Sequence, residues 1–218
     1  MMTPKQISIL KIVSGNYGKL SACLSRHCPN SNISLVDLEC LDDISKCNDV
    51  LLVIPGVGAF DQSISRILSS KMHNSLVDVI NNPSIPKLAI CLGFQILFSS
   101  SEETSSSSPA LGLNIYSGNL LKFLPAQADF LVNTGYKSIA DSSSEESLGP
   151  YYFNHSYYLP ESYIGDNSRR FASVFISNNG STSFLAGFHD ITRNLVGTQY
   201  HPEMSRHTAL LDAFCKLC

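Results

Sequence analysis

The sequence predicts an α/β fold in which helices cover both faces of a central, mainly parallel sheet, with additional antiparallel strands. The chain has 218 residues, a length suited to one sizeable domain over residues 1–218. Strand and helix patterns alternate as far as Phe98, as they do in parallel sheets. Val50–Ile54 is a continuous apolar run, which is typical of a strand buried on both faces.

The first half of the chain alternates between strands and helices. The apolar segments predict strands at Ile7–Val13, Ile33–Leu38, Val50–Ile54 and Lys87–Ile90. Apolar residues recur at helical spacing at Leu20, Cys23, Leu24 and His27, at Ile64, Ile67 and Leu68, and at Leu76, Val79 and Ile80. A further helix is expected to start at Gln95–Phe98.

Short strands dominate from about Leu113 onward. They are expected at Leu120–Leu124, Tyr151–Tyr158, Phe171–Ile176, Ser183–His189 and Leu195–Tyr200, with a turn at Asn178–Gly180. The serine-rich stretches Ser99–Ser108 and Ser142–Ser147 indicate surface loops. A last helix is expected at Ser205–Leu217.

The composition argues against several classes of partner. The net charge is −3 and charged residues make up 15% of the chain, which gives no electrostatic reason to expect nucleic acid or an anionic membrane surface. No apolar run approaches the roughly 20 residues that span a bilayer. We also expect no secretory signal at Met1–Lys5.

The cysteines indicate a reduced, cytoplasmic protein. There are seven, an odd number without the spacing of a disulfide framework. Cys215 and Cys218 form a CxxC pair, but structural zinc sites need four ligands at characteristic spacings. No metal site is therefore expected there.

Cys91 is the first candidate for chemistry. It follows the apolar run Lys87–Ile90 and precedes Leu92-Gly93, which predicts a sharp turn from a strand into a helix. A thiol at such a corner is exposed to substrate, and the positive end of the helix favours the thiolate. Taken alone, the pattern would favour a buried, inert cysteine.

His201 and Glu203 are the second candidate, at the end of the strand predicted over Leu195–Tyr200. Residues two apart share a face if the extended conformation continues, and Pro202 favours that conformation at His201. His201 could then accept the thiol proton from Cys91 while Glu203 orients the ring. A cysteine at a sharp strand-to-helix turn, together with His-x-Glu at the end of a strand, indicates a catalytic site far more specifically than either pattern alone.

With these motifs the chain resembles the class I (triad) glutamine amidotransferases. The resemblance rests on Ile90–Gln95 and Tyr200–Glu203, and two further segments, Ile54–Phe60 and Tyr152–Tyr158, are similar to the HisH family. HisH is the glutaminase subunit of imidazole glycerol phosphate synthase, in histidine biosynthesis. The run Ser101–Glu103 also fits, so the resemblance covers nearly the whole chain.

The resemblance implies a three-layer sandwich, a reaction and the roles of particular residues. The reaction is hydrolysis of L-glutamine to glutamate and ammonia by the triad Cys91, His201 and Glu203, without a metal or organic cofactor. The oxyanion hole would comprise Leu92 and the loop of Gly56, Val57 and Gly58. The glutamine headgroup would be bound by Gln95, Glu103, His155, Ser156 and Tyr157. A barrel-shaped cyclase subunit would form a heterodimer with the chain and use the ammonia.

Three segments depart from the family pattern. They are Ser14–Lys19, Asn133–Lys137 and the run His201–Ser205, where Met204 replaces the usual lysine. In the family these segments lie on the face that docks the cyclase. Two interpretations therefore stay open: ordinary drift within one family, or a paralogue that supplies ammonia to a related synthase, for example one that amidinates a cell-surface sugar.

Two other classes of function also remain open. The chain could be a stand-alone cysteine hydrolase of another small molecule, against which Gln95 and Glu103 count as implied glutamine-binding residues. It could also be a catalytically silent partner subunit. The complete set of Cys91, His201 and Glu203 counts against silence, because a silent subunit has no need of all three.

Overall fold

The computed structural model describes residues 6–13, 15–44, 46, 50–142, 147–163, 171–205, 207, 210–211 and 214. The strands are β1 (Gln6–Lys11), β2 (Asn32–Asp37), β3 (Val50–Ile54), β4 (Lys87–Ile90), β5 (Phe98–Ser101), β6 (Ala110–Leu111), β7 (Tyr116–Lys122), β8 (Asn133–Asp141), β9 (Ser147–His155), β10 (Tyr157–Tyr158), β11 (Phe171–Asn179), β12 (Thr182–Asp190) and β13 (Leu195–Thr198). The helices are α1 (Tyr17–His27), α2 (Leu41–Ile44), α3 (Phe60–Ser69), α4 (His73–Asn81) and α5 (Leu92–Gln95).

The predicted α/β fold with a central sheet is confirmed. Within the described residues, nine strands form one sheet in the order β2-β1-β3-β4-β13-β12-β11-β8-β9. The pairs from β2 to β13 are parallel, and the pairs from β13 to β9 are antiparallel. The sheet is therefore mixed, with a parallel half at the N-terminal side. A smaller sheet has the order β10-β7-β5-β6.

The parallel half is covered on both faces, because its side chains alternate between two hydrophobic clusters. Ile9, Val53 and Ile90 pack with the buried side of α1. Leu52 and Ala89 lie in the other cluster, together with buried residues of α3 and α4. This three-layer arrangement explains why β3 and β4 are apolar at nearly every position.

Several predicted boundaries are wrong. The helix expected at Gln95–Phe98 is a single turn, α5, that ends at Gln95, and Phe98–Ser101 is the strand β5. Ser99–Ser101 therefore belongs to a sheet, whereas the rest of the stretch to Ser108 is irregular as predicted. The sequence also gave no sign of β6 or of β8, which pairs with both β9 and β11.

Some expectations fall outside the described residues. These include Met1–Lys5, the pair Cys215 and Cys218, residues 143–146 of the second serine-rich stretch, and most of the helix expected at Ser205–Leu217. Cys28 is disulfide-bonded, so the expectation of a wholly reduced chain is wrong at this residue. In the part of the chain that is described, no helix has the length and apolar character needed to cross a membrane.

Candidate active site

Three neighbouring parallel strands, β3, β4 and β13, end at the same edge of the sheet. Ile54 of β3 lies opposite Ala89 of β4, and Thr198 of β13 lies opposite Ile90. The segments that follow these strands therefore emerge side by side, as the carboxyl ends of parallel strands do. They begin with the Pro55 loop, with Cys91 and with the polar run that contains His201.

Cys91 has an unusual backbone conformation. Its φ is 52° and its ψ is −109°, a region that residues other than glycine rarely adopt. The Cys91 N–H donates to the Thr198 carbonyl oxygen at 2.7 Å, and the Cys91 carbonyl oxygen accepts from the Gln95 N–H at 2.9 Å. Strain of this kind costs about 1–3 kcal/mol and persists where the surroundings over-determine the conformation. At this turn Cys91 lines a cavity.

Glycine is required at position 93 for the turn to pack. A Cβ at Gly93 would lie 1.8 Å from the Ile54 carbonyl oxygen at the end of β3. No side chain fits at that distance, so the turn after Cys91 contacts the neighbouring strand through bare backbone.

His201 and Glu203 form a hydrogen-bonded pair. The His201 Nδ1 and the Glu203 Oε1 are 3.0 Å apart, and their side chains are 10% and 5% exposed. The extended conformation that the sequence predicted does not continue, because Pro202–Met204 is a 3-10 turn. The pair forms nevertheless, since the turn folds Glu203 back towards the ring.

The surroundings of His201 favour its protonated form. Burial is the largest influence and lowers its pKa, but Cys91 and Glu203 together outweigh burial and raise the pKa to about 11. A charged imidazolium between the sulfur of Cys91 and the carboxylate of Glu203 is the arrangement that a thiolate nucleophile needs.

A cavity of about 200 Å³ brings most of the predicted residues together. Its lining comprises Val57, Gly58, Cys91, Leu92, Gln95, Glu103, Val132, Asn154, His155, Ser156, Tyr157 and His201. Two predicted residues, Gly56 and Glu203, lie instead beside a second, water-sized space that His201 also lines. Val132 and Asn154 line the cavity but were not among the candidates. Within the described part of the chain, no three His, Cys, Asp or Glu residues are grouped to hold a metal ion.

The Leu92 N–H already has a partner. It donates to the Gly56 carbonyl oxygen at 3.4 Å, so this predicted oxyanion donor is engaged by the loop that was expected to assist it. Gly58 in the same loop has a φ of 124°, which favours glycine. The Gly56 carbonyl oxygen is a backbone group. Releasing the Leu92 N–H from it therefore requires a change in the backbone conformation of this loop.

The Gln95 side chain uses both of its amide hydrogens within the protein. Its Nε2 donates to the Tyr157 carbonyl oxygen at 3.1 Å and to the Gln199 Oε1 at 3.0 Å. The Gln95 Oε1 is the side-chain atom that remains to accept a hydrogen bond from a ligand.

His155 supports the cavity wall and remains uncharged. Its Nδ1 lies 2.8 Å from the Tyr157 carbonyl oxygen and its Nε2 lies 2.8 Å from the Asn133 Nδ2. A carbonyl accepts and an amide NH₂ donates, so Nδ1 carries the proton. Burial, partly offset by the bond to Tyr157, lowers the His155 pKa to about 3. Both ring nitrogens are therefore used in shaping the wall.

Glu103 joins the cavity to the start of α3. Its Oε2 accepts the Phe60 N–H at 2.9 Å, at the positive end of that helix. Burial raises the Glu103 pKa, the bond to Phe60 opposes that rise, and Asp61 adds to it. The bond to Phe60 thereby holds the carboxyl group where it lines the cavity.

Gln199 was missed by the sequence reasoning. It is fully buried, and its Nε2 donates to the Cys91 Sγ at 3.7 Å. Its position in the chain is informative in retrospect, because it follows β13 directly and stands two residues before His201. A buried amide at the end of a strand needs hydrogen-bond partners, and one of them here is the Cys91 sulfur.

Comparison with known proteins gives consistent results. The family described as glutamine amidotransferase class-I matches residues 20–215. The imidazole glycerol phosphate synthase subunit HisH of Leptospira borgpetersenii is 34% identical over 178 residues, covering 76% of this chain and 80% of the relative. HisH of Gloeothece citriformis is 30% identical over 212 residues, covering 94% and 92%.

Solved structures share the fold at lower identity. A glutamine amidotransferase structure has a TM-score of 0.61 at 12% identity and covers 97% of each chain. The structure of PurLQS from Thermotoga maritima has a TM-score of 0.58 at 14% identity, covering 99% of this chain and 95% of that one.

The strain at Cys91 is testable by comparing glycine with alanine. Both substitutions remove the thiol, but glycine adopts the positive φ without a Cβ clash, so Cys91→Gly should be more stable than Cys91→Ala by about 1 kcal/mol. The matched control is Cys23, which lies within α1. There Gly should be less stable than Ala by about 1 kcal/mol. Urea unfolding measures both differences, and the same order at both positions would contradict the strained turn.

Proposed function

We propose, from the premise that the chain belongs to the class-I glutamine amidotransferases, that it hydrolyses L-glutamine to glutamate and ammonia as the glutaminase subunit of imidazole glycerol phosphate synthase. One observation carries the proposal. A strained cysteine and a histidine with a strongly raised pKa line the same cavity, and a buried carboxylate is bonded to that histidine.

The geometry supports a two-step reaction. The Cys91 sulfur attacks the side-chain amide carbon of glutamine, and the tetrahedral intermediate collapses by breaking the carbon–nitrogen bond. His201, held by Glu203 at 3.0 Å, gives its proton to the leaving ammonia. Water then attacks the thioester carbon, His201 takes a proton from that water, and the carbon–sulfur bond breaks to release glutamate.

The residues that line the cavity suggest how glutamine is held. Its α-ammonium group can donate to the Gln95 Oε1 and approach the Glu103 carboxyl group, which both face the cavity. Ser156, Tyr157 and Asn154 also line the cavity and supply polar groups for the α-carboxylate. His155 contributes indirectly, by fixing the Tyr157 carbonyl oxygen.

The oxyanion hole is the step that the resting conformation does not support. The Leu92 N–H can stabilise an oxyanion only after it leaves the Gly56 carbonyl oxygen. We propose that the loop of Gly56, Val57 and Gly58 changes conformation to release it. Val57 is 38% exposed and lines the cavity, so a protein bound over the cavity mouth could drive this change.

The surface around the cavity mouth is suited to a barrel-shaped synthase subunit, which would form a heterodimer with this chain. The consecutive residues Phe130, Leu131 and Val132 are 64%, 48% and 46% exposed, and Val132 reaches the cavity lining. An apolar exposed patch beside a catalytic cavity is typical of a partner contact. We place this complex in the cytoplasm, without a nucleic-acid or membrane partner.

The three segments that depart from the family pattern meet in the structure. The Tyr136 hydroxyl donates to the Met204 carbonyl oxygen at 3.1 Å, and the Lys19 Nζ lies 3.8 Å from the Met204 Sδ. Asn133, from the same segment as Tyr136, is instead buried against His155. The cluster of Lys19, Tyr136 and Met204 keeps the paralogue interpretation as the second candidate, because these residues would contact the synthase.

The family match over residues 20–215 supports one domain for the whole chain.

Glu203→Gln tests the third member of the triad. It keeps the shape of the side chain but removes the charge that helps to raise the His201 pKa, so that pKa should fall. The glutaminase rate should drop by roughly two to four orders of magnitude, and less than in His201→Ala, where the base itself is lost. Glutamate production and NMR titration of the His201 ring measure the two effects. The control is Glu161→Gln, because the Glu161 carboxylate accepts from the Ser183 hydroxyl and does not line the cavity. This variant should keep the wild-type rate. Equal rates for wild type and Glu203→Gln would place the third member elsewhere.

The partner is tested by reconstitution. The chain alone should hydrolyse glutamine slowly, because the Leu92 N–H is engaged by Gly56. Binding of the cognate barrel subunit, carrying the acceptor molecule that takes up the ammonia, should raise the glutaminase rate roughly 100- to 1,000-fold. This is the effect of gaining one oxyanion donor.

The assay should compare the histidine-pathway cyclase with any paralogous barrel from the same source, each with its own acceptor. Activation only by the histidine-pathway cyclase supports the proposed function and rules out the paralogue. Activation only by the paralogous barrel reverses that ranking. Full activity of the chain alone would instead favour a stand-alone hydrolase.

A further inference from the structure

We propose that Gln199 is a positioning residue for the nucleophile, and that its side-chain N–H holds the Cys91 sulfur in place and stabilises its thiolate form. The inference deepens the proposed function, because it rests on Cys91 being the nucleophile. The carrying observation is a directed chain of hydrogen bonds that starts at a backbone carbonyl and ends at the sulfur.

The direction of this chain is fixed at its start. The Tyr157 carbonyl oxygen can only accept, so the Gln95 amide must present its NH₂ group there, at 3.1 Å. The same Nε2 donates to Gln199 at 3.0 Å, which requires an oxygen of Gln199 to face it. The NH₂ group of Gln199 is therefore left to face the Cys91 Sγ, at 3.7 Å.

The opposite orientation of Gln199 is excluded by the same contacts. A flipped amide would place two NH₂ groups against each other at Gln95 and would point a carbonyl oxygen at the sulfur. Gln199 is fully buried and its backbone N–H donates to the Ala186 carbonyl oxygen at 2.8 Å, so the side chain has no route to solvent. The Gln199 side chain is thus fixed by its backbone bond to Ala186 and by its bond to Gln95, which keeps its N–H against Cys91.

An N–H donor at this position acts when the sulfur carries charge. A thiolate accepts hydrogen bonds more strongly than a thiol or a thioester does, so the donor favours the thiolate before attack. It acts again in the second step. When water has added to the thioester carbon, the carbon–sulfur bond breaks, its electron pair returns to the sulfur, and the Gln199 N–H stabilises the departing thiolate.

The other groups around the sulfur do different work. His201 faces it from the segment after β13 and exchanges protons, with Glu203 behind it. Glu103 and Tyr157 line the cavity, and both have raised pKa values, chiefly through burial. His155 also lines it but stays neutral, because burial lowers its pKa to about 3. Gln199 contributes a donor that neither titrates nor moves.

The first test is the pH dependence of alkylation of Cys91 by iodoacetamide, followed by peptide mass spectrometry. In Gln199→Met the donor is lost, and the midpoint pH should rise by roughly one to two units. Gln199→Glu keeps an acceptor for Gln95 but sets a carboxylate against the sulfur, so its midpoint should rise further. Gln6→Met, at a glutamine that donates to Ser34 on the distant side of the sheet, should leave the midpoint unchanged. Unchanged midpoints in both Gln199 variants would overturn the proposal.

The second test needs no change at Gln199 and so does not depend on those variants folding. The side-chain NH₂ protons of Gln199 should shift in the NMR spectrum of the wild type with the same pH midpoint as alkylation, and should not shift in Cys91→Ala. The absence of that shift in the wild type would overturn the proposal. Neither test uses glutamine or a partner, so a failure here leaves the proposed glutaminase function standing, and a failed glutaminase assay leaves these results interpretable.

Discussion

The backbone of Cys91 is the constraint on which the rest of the site depends. A positive φ at a residue with a side chain is unfavourable, and it is maintained here by the strands on either side of β4. Thr198 of β13 binds the Cys91 N–H, and the carbonyl oxygen of Ile54 leaves room at position 93 only for glycine. The thiol is thereby placed where the parallel strands end, within reach of His201. Because the sheet sets this position, the placement of the candidate nucleophile depends on the packing of the core.

The parallel half of the fold was predictable because its physical signal is local. Strands buried on both faces must be apolar at consecutive positions, and the helices between them must carry an apolar stripe. Both signals are plain at β3, at β4 and in α3. The antiparallel half was harder, since β8 pairs with β9 and β11 while leaving much of one face to solvent. After Gln95 the apolar run Ile96–Phe98 fits a continued helix or a strand equally well, and pairing with β7 makes Phe98 the first residue of β5.

The candidate site also has residues that the sequence indicates and contacts that only the structure reveals. The candidates for chemistry, Cys91, His201 and Glu203, are recognisable in the sequence from their type and order, and the structure brings them together. Leu92 and the Gly56 loop were expected from the resemblance, but the hydrogen bond between them was not, and neither was the contact of Gln199 with the sulfur. The bond from Leu92 to Gly56 depends on a loop conformation, and the bond from Gln199 to the sulfur depends on how β13 lies beside β4. Neither has a compositional signature, although both bear on reactivity in the proposed mechanism.

These two contacts suggest opposite roles for the resting state of the enzyme. In the proposed mechanism the Gln199 amide prepares the sulfur as a nucleophile in advance, whereas the Gly56 carbonyl oxygen withholds an oxyanion donor. A glutaminase whose ammonia is needed by a second active site benefits from this combination. The nucleophile is ready, and turnover waits for a change in the loop, which a bound synthase could supply.

The most direct test of the central claim is covalent labelling of the intact chain with a glutamine-analogue electrophile, followed by peptide mapping. Cys91 should be labelled at one equivalent, L-glutamine should protect it, and His201→Ala should slow the labelling without moving it to another residue. The exposed Cys40 serves as an internal measure of non-specific thiol reactivity. Labelling of Cys40 or any other cysteine in preference to Cys91, or labelling that glutamine does not prevent, would contradict the account.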